Sequence, residues 1–142
     1  MERATGKLQA LRALWQEKRG TRAIPSRGDM PVSALRPWLG HLALIDLTGA
    51  APCFRLCGTG LHARLGGEMT SRKLDAVSVA HGRLLLRACI EEICRTLAPA
   101  PMVHAMRGDP ARTVFHDLCL PLGHDGKRAD TVLFASYAER NA

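Results

Sequence analysis

The stretch Phe54-Arg55-Leu56-Cys57-Gly58-Thr59-Gly60-Leu61 constrains this chain most. Cys53, Arg55 and Cys57 alternate with Phe54 and Leu56, the period of two that sets each group on its own face of a sheet. Gly58 and Gly60 predict the backbone freedom needed to leave that sheet, and Thr59 predicts a hydroxyl cap for the orphan amides of a following helix. A strand therefore runs through a tight turn into a helix, and the other elements are arranged before and after that junction.

Ahead of it, residues 5 to about 19 predict a helix. Leu8, Leu11, Leu14 and Trp15 fall in a stripe at helical spacing, with Arg12, Gln16, Glu17 and Arg19 opposite and Gly20 as a stop. Such a stripe either packs on its own domain or pairs with its twin in a homodimer, and the spacing leaves both open. Pro25-Ser26-Arg27-Gly28-Asp29-Met30-Pro31 is a turn-rich connector in which Arg27 and Asp29 are a candidate ion pair. Residues 41–48 predict the first strand, joined by Gly49-Ala50-Ala51-Pro52 to the second. A helical piece over 60–65 stops at Gly66-Gly67, and a short turn follows over 70–77. A long amphipathic helix spans about 79–97, ended by Pro99 and Pro101. Three strands close the chain, over 101–106, 113–122 and 129–138. Helix, two strands, several helices and three strands make an α+β order, with helices gathered on one face of a five-stranded antiparallel sheet.

Composition excludes several classes. With 142 residues, 46% of them hydrophobic, the chain can bury one full core. It has no apolar run of about 18 residues, so no membrane span is expected, and the amphipathic start is not expected to act as a signal peptide; the expected compartment is the cytoplasm. The +7 charge is dispersed from Arg3 to Arg140 without any recognition motif, so no nucleic acid is expected as partner. Of the five cysteines, Cys53 and Cys57 stand about 13 Å apart if both lie on one strand, too far for a disulfide. Cys89 and Cys94 fall on different helix faces, and Cys119 stands alone.

Certain residues resemble a known family. Leu14-Trp15 with Arg19-Gly20, Pro25-Ser26-Arg27 with Asp29 and Pro31, and Phe54-Arg55-Leu56 with Gly58-Thr59 resemble a bacterial PAS-like sensor family, as do Gly66, Leu74-Asp75 and Leu120-Pro121-Leu122. The resemblance covers most of the chain, with residues 1–24 as N-terminal helix and connector and 25–142 as one PAS-like domain. It implies a small cavity between sheet and helices, a sensory or interaction role, and dimerisation through the N-terminal helix at Leu8, Leu11, Leu14 and Trp15. One departure stands at Thr70-Ser71-Arg72-Lys73, where the family pattern leads to an expected Thr-Gly-Arg; serine lacks glycine's access to positive φ. The resemblance assigns no cofactor.

The candidate chemistry is sparse. His81, at the start of the long helix, is the residue best placed as an axial ligand for haem. No cysteine sits in the Asn-Cys-Arg-Phe pattern a light-sensing flavin needs, and no Cys-x-x-Cys pair suggests zinc. A thiol hydrolase drawn from Cys57 or Cys119 with His104, His116 or Asp117 lacks any motif that sets a base beside the thiol. Arg55, mid-strand among apolar residues, is left as the main candidate. It either pairs with Asp46 or faces solvent, or it reaches into the cavity and holds an anion bidentately. In the second case Cys57, Leu44, Val132 and Phe134 line the same pocket. The first reading is a non-catalytic sensory or regulatory domain acting on a signalling protein, with a small ligand as a gate. The alternative is a small-molecule-binding protein anchored by Arg55 or His81, and the third is a small enzyme.

Overall fold

A computed structural model describes residues 2–106 and 108–140. Helix α1 (Glu2–Arg19) leads through 3-10 turns to strands β1 (Leu42–Asp46) and β2 (Cys53–Cys57). Helices α2 (His62–Leu65) and α3 (Ala80–Thr96) follow, then strands β3 (Ala100–Ala105), β4 (Thr113–Leu122) and β5 (Thr131–Arg140). The five strands form one antiparallel sheet in the order β2-β1-β5-β4-β3.

The register sorts residues onto two faces. Ala43, Phe134 and Cys119 are paired across three strands and share one face, as do Ser136 and Asp117. Call this face inner. It packs with Leu61 and Leu65, and with Leu86, Ile90 and Ile93 of α3, in one apolar cluster. The outer face carries Leu44, Leu118, Leu120, Leu133 and Tyr137, which cluster with Leu11 and Trp15 of α1. Helix α1 thus lies across the side of the sheet opposite α2 and α3. Its stripe packs within its own domain, with Leu11 and Trp15 fully buried and Leu8 and Leu14 half-buried. Burying side chains of this size contributes roughly 1.5–3 kcal/mol each. Both indoles fix the helix by hydrogen bonds, Trp15 Nε1 donating to the Pro121 carbonyl (2.8 Å) and Trp38 Nε1 to the Lys7 carbonyl (2.8 Å). Gly20 at φ +58° ends α1, and Arg22 donates back to the Lys18 and Arg19 carbonyls.

The β2 junction departs from strict alternation. Leu44 pairs with Leu56 but Ile45 pairs with Phe54, so Arg55 is the extra residue of a β-bulge. The bulge lets Phe54 and Cys57, three positions apart, both enter the inner core, while Leu56 packs on the outer cluster. The period of two therefore misplaces Cys57 relative to Arg55. Gly58 has an extended backbone (φ −72°, ψ 148°), so it is not there for a left-handed turn. A Cβ on it would lie 2.4 Å from the Gly40 carbonyl oxygen, so glycine is needed for close backbone approach. Thr59 caps nothing through its side chain.

The connector ion pair also changes partner. Asp29 forms a capping box with Ser26 and pairs with Arg22 (2.8 Å), while Arg27 donates to the Met30 carbonyl. Ser71 stands at φ +69°, so the turn keeps a left-handed residue even without glycine.

Candidate functional site

Two charged residues, Arg64 and Asp117, are buried to within 1–2% of full burial on the inner side of the sheet. Arg64 comes from the single turn of α2, whose neighbours Leu61 and Leu65 draw it under the fold. Asp117 lies at the middle of β4, on its inward-pointing series with Cys119. A carboxylate there is costly unless its lone pairs are taken. They are. Arg64 Nε and Nη2 donate to Oδ2 at 3.1 and 3.0 Å, His104 Nε2 meets the same oxygen at 2.9 Å, and Ser136 Oγ donates to Oδ1 at 2.5 Å. Burial raises the Asp117 pKa, but the His104 bond, the Arg64 charge and bonds, and Ser136 outweigh it and hold it below the usual carboxylate range. An ionised carboxylate only accepts, so the hydrogen of the His104 contact sits on Nε2.

The guanidinium lies over the Phe134 ring, 5.3 Å from Cζ to centroid. Its remaining nitrogen, Nη1, is buried and has no hydrogen-bond partner among the described residues. Nη1 lies under the first turn of α3, where a Cβ built on Gly82 would come within 2.5 Å of it. That first turn has no side-chain cap. Arg64, Val79, His81, Gly82, His104, Ala105, Met106 and Phe115 wall a cavity of about 210 Å³ at this point. His81 stands edge-on to His104, with ring centroids 6.2 Å apart, and His104 tilts against Phe115 at 5.5 Å.

A family model described as a PAS domain matches residues 3–134. The chain belongs to the PAS domain family. Solved structures with the same fold include the LOV protein of Rhodobacter sphaeroides, at 12% identity and a TM-score of 0.52, covering 94% of this chain and 67% of that one. The PAS domain of Bordetella pertussis BvgS matches at 11% identity and a TM-score of 0.50, covering 96% of this chain and 88% of that one. An RNA-binding light-oxygen-voltage receptor matches at 13% identity and a TM-score of 0.52, with 80% of this chain aligned to 35% of that one. At these identities the likeness is one of fold. No curated protein matches the chain by sequence.

In this PAS domain the residues expected to share one pocket divide across the sheet. Val132 and Phe134 are fully buried on the inner face, with Cys57 beside them in the same cluster. His81 lines the inner cavity. Leu44 and Arg55 lie on the outer side, in a groove with Arg27, Asp46, Thr48 and Asp130. Arg55 does not enter the cavity: the bulge turns it outward, its side chain is 61% exposed, and it pairs with Asp46 at 3.1 Å. The arginine that does line the cavity is Arg64.

A haem or flavin does not fit this site. The cavity of about 210 Å³ is below the roughly 300 Å³ at which pockets for drug-sized ligands begin. Its floor is the fixed Arg64–Asp117 pair, and none of its wall residues is a cysteine. The buried thiols are also poor nucleophiles. Burial pushes the Cys57 thiol up, and contact with Cys89 together with burial pushes Cys119 well above the ordinary range. His104, the base considered for them, is committed to Asp117. Among the described residues no three His, Cys, Asp or Glu side chains converge to hold a metal, and no helix is long and apolar enough to cross a membrane.

Sequence reasoning named His104 and Asp117 only as parts of an unconvincing hydrolase and passed over Arg64, Gly82 and Ser136. The available signal was Asp117 itself, a lone acid inside a ten-residue strand that is otherwise mostly apolar. A charge in that place requires a partner.

Proposed function

We propose that this PAS domain is a non-catalytic cytoplasmic regulator whose inner cavity takes a small ligand and whose state is read by a signalling protein. The observation that carries the reading is a cavity of about 210 Å³ walled by Arg64, His81, Gly82, His104 and Phe115, beside the buried Arg64–Asp117 pair. A concave space with a few polar groups set among apolar walls is where small ligands bind. A ligand seated there bears on the first turn of α3, which packs on the sheet through Leu86, Ile90 and Ile93. Occupancy can therefore shift α3 against β3, whose Val103 is exposed at the sheet edge, and change the surface a partner meets.

The homodimer expected through α1 is placed by this reading on the side of α1 that faces β3. Leu11 and Trp15 are consumed by the protomer's own core, whereas Leu8 borders an apolar cleft with Pro101, Met102 and Val103.

Native mass spectrometry of the purified protein beside its denatured mass tests the ligand gate. The expected result is a reproducible extra mass that disappears on denaturation. A bare polypeptide mass that persists after incubation with a small-molecule extract of the source cells would contradict it.

A further inference from the structure

The inner face also gathers three sulfur atoms that take no part in the charged pair. Cys89 sits midway along α3 and is half-buried, while Cys119 on β4 has no exposed surface. The strand register supplies the third. Ala100 pairs with Cys119 and Met102 with Asp117, so Met102 of β3 shares the inner face. The Cys89 Sγ lies 4.0 Å from the Met102 Sδ. The Cys89 sulfur also meets the Cys119 thiol, which donates its hydrogen to it.

The two thiols differ in accessibility and in acidity. Cys89 lines a groove of about 390 Å³ together with Leu85, Ala88, Glu92, Ala100 and Met102. A small oxidant in that groove meets Cys89 before the enclosed Cys119. The Cys119 hydrogen bond favours the Cys89 thiolate and, with help from the Arg64 charge, holds its pKa below the ordinary thiol range against burial, Asp117 and Glu92. Cys57 and Cys94 are pushed the other way, chiefly by burial. An accessible thiol kept as thiolate, with a second thiol in contact, is the arrangement in which a sulfenic acid is trapped as a disulfide before it oxidises further.

We propose that Cys89 is an oxidation site for small hydroperoxides and that Cys119 resolves it, closing a disulfide between α3 and β4. The Cys89 thiolate attacks the terminal oxygen of the hydroperoxide. The S–O bond forms, the O–O bond breaks, and the leaving alkoxide (hydroxide from hydrogen peroxide) takes a proton from solvent. The Cys119 sulfur then attacks the Cys89 sulfur of the sulfenic acid. The S–S bond forms, the S–O bond breaks, and the departing hydroxide leaves as water with the Cys119 proton. The two thiols together give up two electrons, which the O–O bond receives, and a dithiol restores them by exchange. This site needs no ligand in the cavity beside Arg64. Its disulfide would fix α3, the helix whose shift the regulatory reading invokes.

The test treats the whole chain at pH 7 with a few equivalents of hydrogen peroxide, caps the remaining thiols with N-ethylmaleimide in denaturant, and maps the unreduced peptides by mass spectrometry. The expected result is the loss of two hydrogens, with three capped thiols where the untreated chain has five. One cross-linked peptide pair should join Cys89 to Cys119, and dithiothreitol should reverse it. Cys89→Ala should leave Cys119 reduced under the same treatment, and Cys119→Ala should add oxygen to Cys89 without a cross-link. Five intact thiols after treatment, with or without oxygen on Met102, would overturn the site. So would a disulfide that uses Cys53, Cys57 or Cys94, or a Cys89 sulfinic acid formed in the wild type without a cross-link. Where either variant fails to fold, the wild-type peptide map still decides the case.

Discussion

Helix α1 covers the outer face of the sheet and α2 and α3 the inner face, and the two closures differ in chemistry. On the outer face α1 lays Leu11 and Trp15 against Leu118, Leu120 and Leu133, and the polar atoms the indoles bring with them are bonded to carbonyls of Pro121 and Lys7. On the inner face α2 and α3 bring a guanidinium onto a buried carboxylate, with an imidazole, a hydroxyl and a glycine around them. Apolar packing alone closes a sheet at lower desolvation cost than an ion pair does. The outer face is closed by apolar packing, and the inner face carries a cavity beside the charged pair.

That contrast can be broken by substitution. The largest effect is expected for Asp117→Asn, which leaves the Arg64 charge buried without its partner and should cost about 3–5 kcal/mol at pH 7 in chemical denaturation. The effect has a pH signature. Asp117 titrates below its unfolded value of 3.8, so its contribution is complete above that pH and is lost as pH falls through the lower folded value. The gap between wild type and Asp117→Asn should close in acid, as the wild type takes up the proton too. A gap that stays constant from pH 7 down to pH 2 would contradict the assignment of an ionised Asp117.

A smaller effect is expected on the other face. Trp15→Phe keeps an aromatic ring on the outer core but strands the buried Pro121 carbonyl, at a cost of about 1–3 kcal/mol. Measured the same way, this loss should be independent of pH and should leave the ligand retained in native mass spectrometry unchanged. Loss of ligand affinity on Trp15→Phe would mean that the two faces do not work separately.

Much of the architecture was legible because periodicity reports on faces. The long helix expected over about 79–97 is Ala80–Thr96, the strand over 113–122 matches β4, and the stripe of α1 is real. The partner of that stripe was not legible, since leucine at helical spacing looks the same whether it meets its own sheet or a second copy. The bulge at Arg55 was hidden for a related reason. Its sequence obeys the period of two, and only the pairing with β1 shows that two residues oppose one. The candidate site was least legible between two arginines. Arg55 is conspicuous, set among apolar residues in a strand, yet it faces solvent beside Asp46. Arg64 is inconspicuous in a four-residue helix, and its partner lies 53 positions away, a separation no local pattern encodes.

The most direct test of the division between faces is a proton–nitrogen correlation spectrum of the whole chain titrated with a small-molecule extract of the source cells. The two tryptophans, Trp15 and Trp38, supply indole reporters for the outer face. The Gly82 amide and the Arg64 Nε–H report on the inner face. The predicted result is saturable movement of the Gly82 and Arg64 signals while both indole signals hold still. Movement of the indoles with Gly82 and Arg64 unchanged would place the responsive site on the outer face and contradict the account.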